Sequence, residues 1–175
     1  MKDNGSDHGF YNIATKKEFP YDMEMHMYFY KKGYNSFEDA QSQPGGLVVF
    51  VNWLSSGIEV KDNLFANLEK ELQQVQSIHK NKKIQTFALA SFVNKYYPET
   101  YFQYYEGSLT YPPCTESVSW LIYLPVTPIT DTLLEEFWKI KLSDGDNTNI
   151  RPRQQLNGRQ VKTVQFTTNE RSLNP

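Results

Sequence analysis

The 175-residue sequence has a single cysteine, Cys114, which excludes an internal disulfide framework and any cysteine-rich zinc module. No run comes near the roughly 20 continuous apolar residues that a membrane helix needs. The opening residues, Met1 to His8, lack the apolar centre of a signal peptide. Charge of one sign is also scarce. Eighteen Lys and Arg against 20 Asp and Glu leave a net charge of −2, which gives no electrostatic footprint for nucleic acid. With no internal repeat, no low-complexity tract and no Pro/Gly/Ser linker, residues 1–175 read as a single domain. What the chain has in quantity is aromatic: 12 Tyr, 11 Phe and 3 Trp make up 15% of it. That much ring surface suits a sheet with broad, half-buried faces.

Alternation is clearest from Asp22 to Tyr30. Asp22, Glu24, His26, Tyr28 and Tyr30 fall on one face and Met23, Met25, Met27 and Phe29 on the other. After a basic turn at Lys31-Lys32-Gly33, Ser36-Phe37-Glu38-Asp39-Ala40 predicts one short helical turn. Leu47 to Leu54 is apolar on both faces and predicts a central strand. A helix is predicted from an N-cap near Asp62, with the stripe Leu64, Leu68, Leu72, Val75 and Ile78, running out in Lys80-Asn81-Lys82-Lys83. A strand or irregular segment is expected over Thr86 to Val93, and strands over Tyr101 to Tyr105 (ending at Gly107), Ser117 to Pro125 (closed by its proline) and Val161 to Thr167. A short helix is expected over Thr132 to Ile140. The fold class is mixed and mainly β: a large, twisted, mostly antiparallel central sheet with short peripheral helices.

Three segments carry residues with chemistry. His26 shares its strand face with Glu24, so the two side chains rise roughly 7 Å apart, a spacing at which a carboxylate can orient an imidazole that binds a metal. The same pair equally describes a half-buried histidine satisfied by an acid. In Tyr105 to Glu116, Gly107 permits a tight bend and Pro112-Pro113 fixes the backbone after Thr110. That loop either holds a hydroxyl in one orientation or is a structural corner between strands. In Asn149 to Arg159 the arginines fit phosphate binding or the tying of loops.

Together these segments resemble the α-class carbonic anhydrases. Gly107-Ser108-Leu109-Thr110-Tyr111-Pro112-Pro113-Cys114-Thr115-Glu116-Ser117-Val118-Ser119-Trp120 is similar to that family's signature. Asn149 to Arg159 resembles its Asn-x-Arg-Pro-x-Gln-x-Leu-x-x-Arg segment. Gly5-Ser6-Asp7-His8 resembles its Gly-Ser-Glu-His, and Glu24-Met25-His26-Met27 its Glu-Leu-His-Leu strand. Ser36 to Ala40 and Gly46 to Val49 match in the same order, so the resemblance spans nearly the whole chain.

The resemblance implies an enzyme in which zinc is held by three histidines with water or hydroxide as fourth ligand, and the hydroxide converts carbon dioxide to bicarbonate. It makes His26 the third zinc ligand and Glu24 the carboxylate that orients it. It makes Thr110 the acceptor of a hydrogen bond from the hydroxide, and Asp7 the acid that receives the threonine proton. Val49, Leu109, Val118 and Trp120 would line the apolar carbon dioxide pocket, with Tyr28 at its mouth in place of the family's usual valine. Asp7 is one methylene shorter than the family's glutamate. The family's first two zinc histidines lie on a His-Phe-His-Trp strand upstream of the Gly-Ser-Glu-His segment, and the sequence begins at Met1, after that point. His8 matches a structural position, and His79 is expected to be solvated among lysines. The expectation is therefore a partial domain, its N-terminal part missing, with one of three zinc ligands. Secreted members pair the cysteine at the place of Cys114 with one far upstream, which implies a secreted or extracellular protein. The alternative is a carbonic anhydrase-related protein that keeps the fold, has lost the chemistry and binds a partner.

Overall fold

Alternating side chains decide the first long strand. In this computed structural model, which describes residues 10–12, 17–19, 21–61, 65–84, 101–146 and 148–165, β3 runs over Met23–Tyr30. Met23 and Met25 pack against an apolar core, while the hydroxyl of Tyr28 reaches the ring of His26 on the opposite face. Two short strands precede it: β1, Phe10–Asn12, pairs antiparallel with β2, Lys17–Phe19. Next come α1, Phe37–Gln41, and β4, Leu47–Ser55, then α2, Ala66–Leu72, and β5, Tyr101–Gly107. The chain continues with β6, Val118–Pro128, α3, Asp131–Trp138, a 3-10 turn at Ser143–Gly145, and β7, Lys162–Gln165. Five strands form one sheet in the order β3-β4-β6-β5-β7, with β5 antiparallel to both β6 and β7. The protein is mainly β, with short helices. None of the helices among the described residues is long and apolar enough to cross a membrane.

Several expectations hold closely. β4 is buried along nearly all its length and lies inside the sheet, as its two-faced apolar run requires. Ser36 caps α1, its hydroxyl accepting from the Asp39 amide at 3.1 Å. Several boundaries differ: the N-cap of α2 is Phe65 and not Asp62, and α3 ends at Trp138 and not Ile140. The helix predicted to run to Ile78 ends at Leu72. Beyond it the Gln74 and Val75 amides bond three residues back, to Glu71 and Leu72, so the chain tightens while Val75 still reaches the core. Ile78 leaves that core and is 44% exposed. The proline expected to close β6 does not: the strand passes Pro125 to Pro128. The pairing of β6 with β5 stops at Tyr123, so the N–H that Pro125 lacks costs no ladder bond on that side. Asp62, Leu64, the 86–93 segment, Asp7 and His8 lie outside the described residues, as do residues 166–167 of the expected last strand.

The chain forms two compact units. The first comprises Met1–Met25, Trp53–Gln85 and Val126–Arg153. Its core is Leu54, Leu72, Ile129, Leu133 and Leu134, bordered by Met23, Met25, Phe65, Leu68, Val75, Phe137 and Ile140. Each fully buried Leu or Ile there contributes about 1.5–3 kcal/mol. Thr130 caps α3 by accepting from the Leu133 amide at 3.1 Å and donates to Glu69 Oε2 at 3.2 Å. Glu136 on α3 is 5% exposed. It accepts from Gln76 Nε2 at 2.6 Å and from Lys139 Nζ at 2.7 Å. The Lys139 ammonium holds this carboxyl below its ordinary value, against the opposing effect of desolvation.

The second unit comprises His26–Asn52, Thr86–Pro125 and Gln154–Pro175. It buries aliphatic Leu47, Val49, Val51, Leu109, Val118 and Ile122 together with a set of rings. Phe50, Phe102 and Tyr123 meet with ring centroids 5.5–5.9 Å apart. Tyr105 lies opposite Trp120 in the β5–β6 register and stacks on it at 6.2 Å and 10°.

Candidate functional site

All the candidate residues except Asp7 and Glu24 belong to the second unit, where strands β3, β4 and β6 and the loop before β6 carry them. That loop is pinned at its base. The Leu109 amide donates to the Thr115 carbonyl at 3.0 Å, and the Cys114 amide to the Tyr111 carbonyl at 2.9 Å. Trp120 Nε1 donates to the Ser108 carbonyl at 3.2 Å. Leu109 is fully buried and anchors the turn, while half-buried Thr110 follows it directly. Pro112-Pro113 is a cis peptide, and Cys114 sits at φ 58 with its thiol half-buried.

Gly107 plays a different part from the tight bend expected of it. It lies in β5 without a positive φ, and a Cβ there would stand 2.8 Å from Tyr105 Cε2 and 3.4 Å from both Trp120 Cδ1 and Arg159 Nη1. A side chain there would have to displace the Tyr105 ring, while Trp120 and Arg159 stand at ordinary contact distance. Arg159 is in turn committed to its own turn, with Nε donating to the Leu156 carbonyl at 2.9 Å and Nη2 to the Gln155 carbonyl at 2.8 Å. Of the two readings open for this arginine, the loop-tying one matches what its donors do.

Trp120, Val118 and Val49 are buried, at 2% exposure or less. The His26 ring meets Trp120 edge-on, with centroids 5.2 Å apart and planes at 70°. Its Nδ1 lies 3.4 Å from the Tyr28 hydroxyl. Tyr28 in turn meets Phe37 at 5.9 Å and Tyr111 at 6.3 Å, both edge-on. Burial raises the Tyr111 phenol above its ordinary value, so it stays neutral at physiological pH. Glu24 stands two residues before His26 on β3.

The structure thus brings together His26, Tyr28 and Trp120, and adds Phe37 and Tyr111. The part these last two play was not visible in strand alternation, because both lie off the strands. Tyr111 could have been found from its place directly after Thr110 in the signature. His79 is exposed on a turn in the first unit, at φ 62, as expected of a solvated side chain.

A catalytic zinc takes three protein donors and keeps a fourth position open. Among the described residues no group of three His, Cys, Asp or Glu comes together to hold a metal. His26 alone does not fit that requirement.

Against known families, residues 1–165 match the model of eukaryotic-type carbonic anhydrase. The chain is similar to carbonic anhydrase 6 of Bos taurus, 28% identical over 166 residues, covering 91% of this chain and 48% of the relative. It is similar to carbonic anhydrase 15 of Mus musculus, 32% identical over 149 residues, covering 79% and 45%. It is similar to the carbonic anhydrase-related protein of Rattus norvegicus, 29% identical over 173 residues, covering 91% and 56%. The chain spans about half the length of the curated relatives it matches.

Proposed function

From the premise that this chain belongs to the eukaryotic-type carbonic anhydrase family, we propose that its 175 residues act as one partial domain that supplies a wall of a carbon dioxide-hydrating site. In this reading His26 is the one imidazole the wall offers to zinc, and Glu24 orients it. Thr110 is the hydroxyl that fixes the direction of a proton, with Asp7 as its acceptor. Val49, Leu109, Val118 and Trp120 keep water from a small apolar substrate, with Tyr28 at the mouth. The observation that carries the reading is the packing of His26 against Trp120, whose indole pins the Thr110 loop through Ser108. The described residues do not meet zinc's donor count, so no step through the metal is assigned to this chain alone. An extracellular location follows from the cysteine pairing that the resemblance attaches to Cys114.

The experiment compares the 175-residue chain with a fusion that carries the family's His-x-His strand ahead of Met1. The chain alone is expected to lose zinc on dialysis and to hydrate carbon dioxide no faster than buffer. The fusion is expected to retain zinc stoichiometrically and to show hydration. Zinc retention and turnover by the chain alone would overturn the proposed division of ligands. A fusion that binds zinc without turnover favours the second reading, a catalytically silent related protein that binds a partner. One observation already favours that reading: the Tyr28 hydroxyl sits against His26 where the family has valine.

A further inference from the structure

We propose that Tyr28 is a built-in, displaceable cap on His26, occupying the Nδ1 edge of the imidazole so that any cation or hydrogen-bonding ligand for Nδ1 must first push the phenol aside. The inference rests on the reading above only in taking His26 as the ligand-bearing residue. An imidazole nitrogen presents either one lone pair or one N–H in the ring plane, so a single partner saturates it whichever tautomer is present. The Tyr28 hydroxyl stands 3.4 Å from Nδ1 and can donate to the bare nitrogen or accept from its proton. That distance is at the long end of hydrogen bonding, which makes the cap one that a stronger ligand can displace.

The side chain is also held where it stands. Phe37 at 5.9 Å and Tyr111 at 6.3 Å meet the Tyr28 ring edge-on, at 80° and 61°. The His26 ring is held by the Trp120 edge contact at 5.2 Å. Both partners are therefore placed by aromatic packing before any ligand arrives, and the hydroxyl competes with that ligand at the effective concentration of an intramolecular group. A valine at this position has neither the reach nor a polar atom to do so. Tyr28 thus acts as a specificity-determining residue: it screens out weak ligands of His26 and admits only those that repay its displacement.

The test is labelling of the 175-residue chain with diethyl pyrocarbonate, which acylates a bare imidazole nitrogen, with the Nδ1 and Nε2 adducts of each histidine resolved by NMR and rates compared at Nδ1. His79 on its exposed turn serves as the internal reference. Tyr28→Phe keeps the ring and removes the hydroxyl, and Tyr28→Val removes both. His26 is expected to label more slowly than His79 in the parent chain. In Tyr28→Phe it should label about two- to tenfold faster than in the parent, the factor one net hydrogen bond carries, and in Tyr28→Val faster again. Equal His26 rates in all three proteins would overturn the cap. In the fusion carrying His-x-His, zinc affinity measured by chelator competition should tighten by a similar factor in both variants. Equal affinity with and without the hydroxyl would overturn the cap while leaving His26 as a zinc donor. Faster labelling in the variants with no zinc uptake by any of the three fusions would sustain the cap and defeat the zinc reading of His26.

Discussion

The two compact units share aliphatic packing, and among the described residues they differ in the ring contacts added to it. The first closes over an aliphatic cluster, Leu54, Leu72, Ile129, Leu133 and Leu134, with helices α2 and α3 laid on it and Thr130, Gln76 and Glu136 tying the pieces. The second adds to its buried aliphatic residues two groups of rings, Phe50, Phe102 and Tyr123 in one and His26, Tyr28, Tyr105 and Trp120 in the other. Aliphatic contacts are non-directional, so such a core tolerates local adjustment as long as volume is kept. Ring-edge contacts and hydroxyl-to-nitrogen contacts depend on angle, so the second unit holds polar atoms in fixed directions. All the candidate side chains but Asp7 and Glu24 sit in the unit where these edge and hydroxyl contacts are found.

The largest expected effect separates the two directly. Trp120→Ala should cost about 3–5 kcal/mol and Leu133→Ala about 2–5 kcal/mol in denaturant unfolding. Only the tryptophan substitution should also speed diethyl pyrocarbonate labelling of His26, because the Trp120 ring lies against it and Leu133 belongs to the other unit. A Leu133→Ala chain whose His26 labels as fast as that of Trp120→Ala would erase the distinction.

A smaller effect is expected at Gly107. An alanine Cβ there must displace Tyr105 from its stack on Trp120, since Cε2 would stand 2.8 Å away. The expected cost is about 1–3 kcal/mol, as for other overpacked sites, accompanied by a change in tryptophan fluorescence. An unchanged midpoint would mean that the stack yields freely and that the second unit is no more directional than the first.

The smallest effect lies in the first unit and depends on pH. The Glu136 carboxyl is held below its ordinary value chiefly by the Lys139 ammonium, so its stabilisation is present above the unfolded carboxylate value and is lost as pH falls through the folded one. Glu136→Gln should therefore lower the thermal midpoint at neutral pH, and the gap from the parent should close on acidification below about 4, the ordinary carboxylate range. A gap that is constant with pH would show that packing at this buried position, and not its charge, matters.

The first unit was legible through periodicity and the second through motif. The stripe Leu68, Leu72 and Val75 correctly identified the face that packs on the core. The point where the helix stops was not legible, because the change to three-residue hydrogen bonds at Gln74 leaves the apolar spacing intact. Pro125 suggested an end to β6 that the sheet did not impose, because whether a proline interrupts a strand depends on whether its missing N–H faces a partner. Alternation placed Tyr28 beside His26. It could not show that the hydroxyl would reach Nδ1, since that reach is set by Phe37 and Tyr111, which come from other segments. The same holds for Gly107, where the obstacle to a Cβ is the Tyr105 ring, held over it by the stack on Trp120.

The bonds that tie α2 and the turn after it to α3 and its cap bear on the order of events during folding. Thr130 and Glu69 are 61 residues apart in sequence, and Gln76 and Glu136 are 60 apart. A helix of seven residues is too short to persist in water by its own hydrogen bonds. α2 must therefore wait for Ile129, Leu133 and Leu134 to reach it, and the entropy of closing that long loop is spent before either helix is rewarded. On a ribosome, where the chain emerges from its N-terminus, the first unit remains open until α3 has been made.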